Sequence, residues 1–231
     1  MNLTTLNQLK DYEIDENGKG ECGSNLCFNI NNGIAIMTIR SFNYYGQNLH
    51  TCKQFLDNCF DEINSKGINN LILDFRDNAG GDPYCASYLL QYIAEKSFQY
   101  YKTGTSGYLD LQELIEPHPN RFKGKPFVLI NGRCASTTGQ LSALIKENNI
   151  GIFVGQETGA TYRCNAATRT FTLENSKTTV YVATRTFESN VESLPKDRGI
   201  IPDYEIEPSI SDILNGEDSA LKFTQVLIQN K

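Results

Sequence analysis

Short apolar runs that end in glycine-bearing turns and lead straight into amphipathic helices recur along this chain, and that alternation narrows its fold sharply. Asn70-Leu71-Ile72-Leu73-Asp74-Phe75 reads as a short buried strand. The turn Arg76-Asp77-Asn78-Ala79-Gly80-Gly81-Asp82-Pro83 follows, then a helix over about 84 to 96. Phe127-Val128-Leu129-Ile130 repeats the pattern: it leads through Asn131-Gly132-Arg133-Cys134-Ala135-Ser136 into a helix carrying Leu141, Leu144 and Ile145. Upstream, Ile34 to Ile39 alternates as a strand does. Leu49, Cys52, Phe55, Leu56, Cys59, Phe60 and Ile63 then recur at helical spacing, up to the stop signal Lys66-Gly67. Downstream come a strand at Gly151 to Gly155, a β-hairpin from segments around 168–174 and 178–186, and a short amphipathic helix near 217–229. Strand–helix–strand alternation predicts an α/β fold with parallel pairing.

The remaining stretches are less regular. Residues 1–32 are expected to be an N-terminal polar extension, Gly/Asn-rich and closing on the turn signal Asn31-Asn32-Gly33, and 33–231 a single domain. Between about 98 and 124 there are aromatics but little periodicity, which suits a lid, a substrate-facing insertion or a long loop. The length, 231 residues, is enough for a sizeable core. A net charge of -6 leaves no basic surplus to neutralise phosphates, which disfavours a general nucleic-acid binder. No apolar run approaches the roughly 20 residues that span a bilayer. The N-terminus lacks the basic start and apolar stretch of a signal peptide.

Seven cysteines make an odd count. Cys22 and Cys27 are spaced for a small loop. Cys52 and Cys59 lie two helical turns apart on an apolar face and read as core thiols. No C-x-x-C spacing occurs, and the two histidines, His50 and His118, stand alone, so no metal site is expected.

Two strand ends that run through glycine turns into helices expose backbone N–H groups at the carboxyl edge of the sheet, where α/β proteins place their sites. Gly80-Gly81 leaves room for an approaching substrate backbone. Ser136, just before a helix, sits where peptide N–H groups and the helix dipole favour developing negative charge. A structural reading competes: a serine or threonine there is commonly an N-cap, Thr137 with Gln140 fits a capping box, and a diglycine is often an ordinary turn.

Four segments in order carry a further signal: Leu71 through Gly81, Val128 through Ser136, Val154-Gly155-Gln156-Glu157-Thr158-Gly159, and Arg198-Gly199-Ile200-Ile201-Pro202-Asp203. Over roughly residues 33 to 210 the chain resembles the C-terminal processing (tail-specific) serine peptidase family. Relatives of that family include the tricorn protease core and the interphotoreceptor retinoid-binding repeats. The resemblance implies a ββα superhelix of the ClpP/crotonase type; the PDZ domain common in the family is not expected here, since the residues before the first strand are too few for one. It makes Ser136 the nucleophile, with oxyanion N–H groups from Thr137 and from Gly80 or Gly81. In the Ser/Lys members a lysine follows the nucleophile by 25 residues; here that position is Thr161. Glu157 and His50 are the candidate replacements for the missing base, and Cys134 reads as a core thiol.

The implied activity is hydrolysis of extended polypeptides through a Ser136 acyl-enzyme, with no metal and no organic cofactor. Family habit implies an exported or extracytoplasmic location. Two rivals stand beside it: a catalytically impaired member that binds peptide or an apolar ligand in the same groove, and a crotonase-type acyl-CoA enzyme.

Overall fold

The structure, a computed structural model, describes residues 25–230. Strands β1 (Leu26–Asn31), β2 (Ile34–Ile39), β3 (Asn70–Asp74), β4 (Phe127–Ile130), β5 (Ile152–Gly155) and β8 (Tyr204–Glu205) form one sheet in the order β1-β2-β3-β4-β5-β8. Only β1 runs antiparallel, to β2; every other neighbouring pair is parallel. β6 (Arg163–Thr172) and β7 (Thr179–Glu188) make a separate antiparallel hairpin.

Two apolar faces give three layers. Ala35, Met37, Ile39, Leu71, Leu73, Val128, Ile130 and Phe153 project to one side of the sheet. There they pack with α1 (Leu49–Ser65), α2 (Pro83–Ile93) and α3 (Thr137–Glu147). The alternate residues Ile34, Ile36, Ile72, Phe127, Leu129 and Val154 project to the other, beneath α5 (Ser219–Gln229), which follows the short helix α4 (Ile210–Asn215). Strands covered on both faces read as continuous apolar runs, which is why Leu71 to Leu73 and Phe127 to Ile130 show no polar alternation. Each fully buried Leu or Phe in these layers contributes about 1.5–3 kcal/mol of transfer free energy.

Three expectations need correction. Leu26–Asn31, assigned to the polar extension, is a sheet strand whose Leu26, Cys27 and Phe28 are buried; the part of that extension before residue 25 lies outside the described residues. Asn32 and Gly33, both at positive φ, close the β1–β2 hairpin in the manner of a two-residue turn. The helix expected to reach about 96 ends at Ile93, where Ala94 is extended. Cys52 is not a core thiol: it is bonded to Cys85, tying α1 to α2. Cys22, of the proposed Cys22–Cys27 loop, lies outside the described residues.

Because β3 and β4 are parallel neighbours, their carboxyl ends lie side by side, and the loops that follow them meet. The Phe75 N–H donates to Leu129 O (3.0 Å), the Ala135 N–H to Asn78 O (3.0 Å), and the Cys134 thiol to Phe75 O (3.1 Å). Burial pushes the Cys134 thiol up to about 12, so it remains a structural thiol as expected. Asp74, at the end of β3, receives both Arg40 and Arg76, and Arg76 continues to Asp218. Burial alone would raise the Asp74 carboxyl, but the two guanidinium groups outweigh it and hold it below the ordinary range. This ion-pair chain ties the base of the two loops to the start of α5.

Candidate active site

Ser136 is the N-cap of α3, and it does not behave as one: its side chain makes no capping hydrogen bond. Its backbone lies at φ 51°, ψ −126°, a region that glycine enters freely and other residues enter at a cost of about 1–3 kcal/mol. The strain lifts Oγ off the helix end and turns it into a cleft. The capping box does not form either. Thr137 Oγ1 donates to Gly81 O (2.6 Å). The Gln140 side chain is held elsewhere, accepting from the Tyr101 hydroxyl and donating to Phe187 O (both 3.2 Å).

The diglycine turn is pressed against this serine. A Cβ added to Gly80 would lie 2.7 Å from Ser136 Cβ, 2.8 Å from Ala135 O and 2.9 Å from Thr137 N; one on Gly81 would lie 2.1 Å from the Phe42 carbonyl carbon. Both glycines have positive φ, 103° and 144°. The turn is stitched to the chain beyond β2, since Phe42 N–H donates to Gly80 O (2.9 Å) and Asp82 N–H to Phe42 O (2.6 Å). Asn78, fully buried, braces it from within: its Nδ2 donates to Ile39 O and its Oδ1 accepts the Gly80 N–H, both at 2.9 Å. Sequence reasoning passed over Asn78, although an asparagine two residues before a tight glycine turn is a recognisable Asx-turn signal.

This bonding sorts the predicted oxyanion donors. The Gly80 N–H is already taken by Asn78, so Gly80 contributes space rather than a donor. The N–H groups of Gly81 and Thr137 make no hydrogen bond to any acceptor among the described residues, and both residues line the cleft beside Ser136. An unsatisfied pair of N–H groups flanking a strained serine is the arrangement an oxyanion needs.

The two candidate bases are not brought in. The Glu157 carboxylate is engaged by Arg198 (Nη2–Oε2 2.6 Å) and by the Gly199 N–H (2.8 Å). The Arg198 guanidinium holds it below the usual carboxylate range, the reverse of what a base beside a serine requires. His50 is exposed in the first turn of α1 and does not line the cleft. Thr161, at the position of the family lysine, points its hydroxyl to Pro195 O (3.4 Å). The group that does reach Ser136 is Cys164 of β6, whose Sγ lies 3.6 Å from Oγ.

The cleft itself holds about 70 Å³. Its walls are aromatic: Tyr45, Tyr101, Tyr108 and Phe187, with Cys164 and Ala166 from the hairpin. Tyr101, Tyr108 and Phe187 pack mutually with ring centroids 5.8 to 6.1 Å apart. The irregular stretch 98–124 reaches this cleft through Tyr101 and Tyr108; Tyr108 too is held at positive φ, 50°. Among the described residues no His, Lys, Arg, Asp or Glu lines the cleft. Among the described residues no group of three or more His, Cys, Asp or Glu side chains could hold a metal ion, and no helix is long and apolar enough to cross a membrane.

The amino-acid sequence matches the profile of Peptidase family S41 over residues 33–206. No curated protein matches the chain by sequence. Among solved structures it resembles a provisionally assigned peptidase from Parabacteroides merdae, with TM-score 0.61 and 19% identity over 97% of this chain and 67% of that one. It also resembles the photosystem II D1 C-terminal processing protease (TM-score 0.58, 15% identity, 81% of this chain, 49% of that one). The tricorn protease is a third likeness (TM-score 0.51, 19% identity, 86% of this chain, 18% of that one). Identities this low speak for a common fold, and the chain spans only about half of the second of these proteins and less of the third.

Proposed function

The chain belongs to peptidase family S41, and from that premise we propose that it is a serine peptidase acting on extended polypeptides through Ser136. Attack of Ser136 Oγ on a peptide carbonyl would place the new oxyanion between the N–H groups of Thr137 and Gly81. Collapse would release the amine product and leave an acyl-serine, which water then hydrolyses. The carrying observation is the uncapped, strained Ser136 facing two unsatisfied backbone donors. The element order, with a parallel sheet covered by helices, supports the ClpP/crotonase-type ββα superhelix as the finer description of the fold. Likeness to the D1 C-terminal processing protease supports substrates cut near their C-termini. The Cys52–Cys85 disulfide supports an exported location, since such bonds persist in oxidising compartments.

A second reading rests on one observation. The group in contact with Ser136 Oγ is a cysteine thiol, and among the described residues no histidine, lysine or carboxylate lines the cleft to take the serine proton. A member so equipped would bind peptide in the same groove without turnover. A fluorophosphonate probe separates the two. Stoichiometric labelling at Ser136, absent in Ser136→Ala, supports the peptidase. A folded protein that binds peptide but never labels supports the binder.

A further inference from the structure

Among the described residues no charged side chain lines the cleft, and the cation of Arg185 stands at its rim. In the β6–β7 hairpin, Cys164 pairs with Phe187 and Ala166 with Arg185. Strand side chains alternate between faces, so these four residues share the hairpin face that closes the cleft. Cys164, Ala166 and Phe187 line it directly. Arg185 is the next step outward. The residue is exposed, but its guanidinium has a definite place. It folds back over the 104–108 segment, where a Cβ placed on Gly107 would meet Nη1 at 3.8 Å. That position sets it beside Tyr108, a cleft wall, whose hydroxyl is raised by burial and by the Asp82 carboxylate and drawn back down by the Arg185 charge.

The other arginines around this hairpin differ. Arg163 lies 3.6 Å from Glu188, and Arg169 sits on the opposite face, paired with Val182. Arg185 makes no ion pair among the described residues. An exposed arginine on a hairpin is commonly a solubility device, but such a side chain has no reason to lie along a substrate wall. Held there, it offers a planar fork of donors to whatever enters.

We propose that Arg185 is a specificity-determining residue of this cleft, receiving a carboxylate carried by the bound polypeptide one or a few residues from the bond at Ser136. The inference rests on the reading of the cleft as a peptide site. The chain's net charge of -6 repels acidic peptides at long range, so a preference for them has to come from a local cation. The carboxylate has two sources, a free chain terminus or an Asp/Glu side chain, and matched peptides separate them.

The test uses one peptide series on the full chain: free-acid against amidated C-terminus, and Glu against Gln at interior positions. Cleavage rates are read with the wild-type protein, and binding is read by fluorescence anisotropy with Ser136→Ala, so the outcome does not depend on turnover. The expected result is a preference of about tenfold for the carboxylate-bearing member of one pair. Arg185→Gln should abolish that preference and Arg185→Lys should keep part of it. A preference for the free acid identifies the chain terminus; a preference for Glu identifies a side chain. Equal binding of every pair, or a preference that survives Arg185→Gln, overturns the proposal. If nothing is cleaved but Ser136→Ala discriminates, the peptidase reading fails and the carboxylate site stands.

Discussion

Gly80 lies so close to Ser136 that a methyl group on the glycine would sit 2.7 Å from the serine Cβ. The two residues come from loops 56 positions apart in sequence, joined because β3 and β4 are parallel neighbours. Gly80→Ala would strike backbone atoms of Ala135 and Thr137 as well, and those cannot swing aside as a flexible side chain would. We expect a stability loss of about 1–3 kcal/mol and a fall of at least tenfold in probe labelling at Ser136. Urea unfolding and labelling kinetics on the same variant check both; a variant that labels at the wild-type rate removes the functional weight from this contact.

The strain at Ser136 makes a prediction with the opposite sign. Glycine accepts φ 51°, ψ −126° without penalty, so Ser136→Gly should stabilise the fold by about 1 kcal/mol while ending all labelling. Ser136→Ala keeps the strain and should change stability little. A thermal melt in which Ser136→Gly lies below Ser136→Ala would mean that the serine backbone is relaxed. Stability given up at one residue in this way is the usual mark of a position kept for function.

The strands and helices were legible wherever burial is two-sided or periodic. Phe127 to Ile130 is a continuous apolar run because α3 and α5 cover it from opposite faces, and Leu49 to Ile63 is helical by spacing alone. β1 was hidden by its neighbours, since its Asn29 and Asn31 merge with a polar Asn/Gly stretch although Asn32-Gly33 is a strong hairpin signal. Ser136 was found through its loop, whereas Tyr45, Tyr101, Tyr108 and Cys164 reach the cleft from three separate segments with no common period. Glu157 illustrates the limit: nothing local shows that Arg198, 41 residues on, neutralises it.

Acid should find the fold at Asp74. Its carboxyl titrates lower in the folded protein than in the unfolded chain, because Arg76 and Arg40 outweigh its burial. The resulting stabilisation is therefore complete above the ordinary aspartate pKa of about 3.9 and is lost as pH falls through the depressed folded value. Asp74→Asn leaves two guanidinium groups without their shared partner and should cost about 3–5 kcal/mol at pH 7. The variant should also lose less stability than wild type between pH 5 and pH 2. Denaturant midpoints across that range decide it; parallel acid limbs in the two proteins would place the sensitivity elsewhere.

The Cys52–Cys85 bond joins α1 to α2 across 33 residues, and α2 begins immediately after the diglycine turn. Closing a loop of that length stabilises by about 3–4 kcal/mol in the chain-entropy model. Reduction, or Cys52→Ala with Cys85→Ala, should lower the thermal midpoint clearly and weaken Ser136 labelling in step with unfolding rather than before it. Labelling lost at temperatures where the reduced protein is still folded would mean that the bond positions the turn directly.

Cys164 offers the sharpest test of the cleft, because it touches the serine and can be reached. Cys134 is buried with its thiol pushed up to about 12, whereas Cys164 is half-buried in the cleft wall, 3.6 Å from Ser136 Oγ. An amide-sized adduct on that sulfur occupies much of a 70 Å³ space and stands where a substrate carbonyl must approach. Alkylation with iodoacetamide, mapped to Cys164 by peptide mass, should therefore block fluorophosphonate labelling of Ser136. Cys164→Ala, which opens the cleft, should label within about twofold of wild type and resist the block, since a sulfur that donates to Oγ takes no proton from it. A loss of about a hundredfold in Cys164→Ala would instead make the thiol part of the proton path. Unimpaired labelling of a fully alkylated protein would show that the serine is approached from another side, and the geometry of the cleft would have to be redrawn.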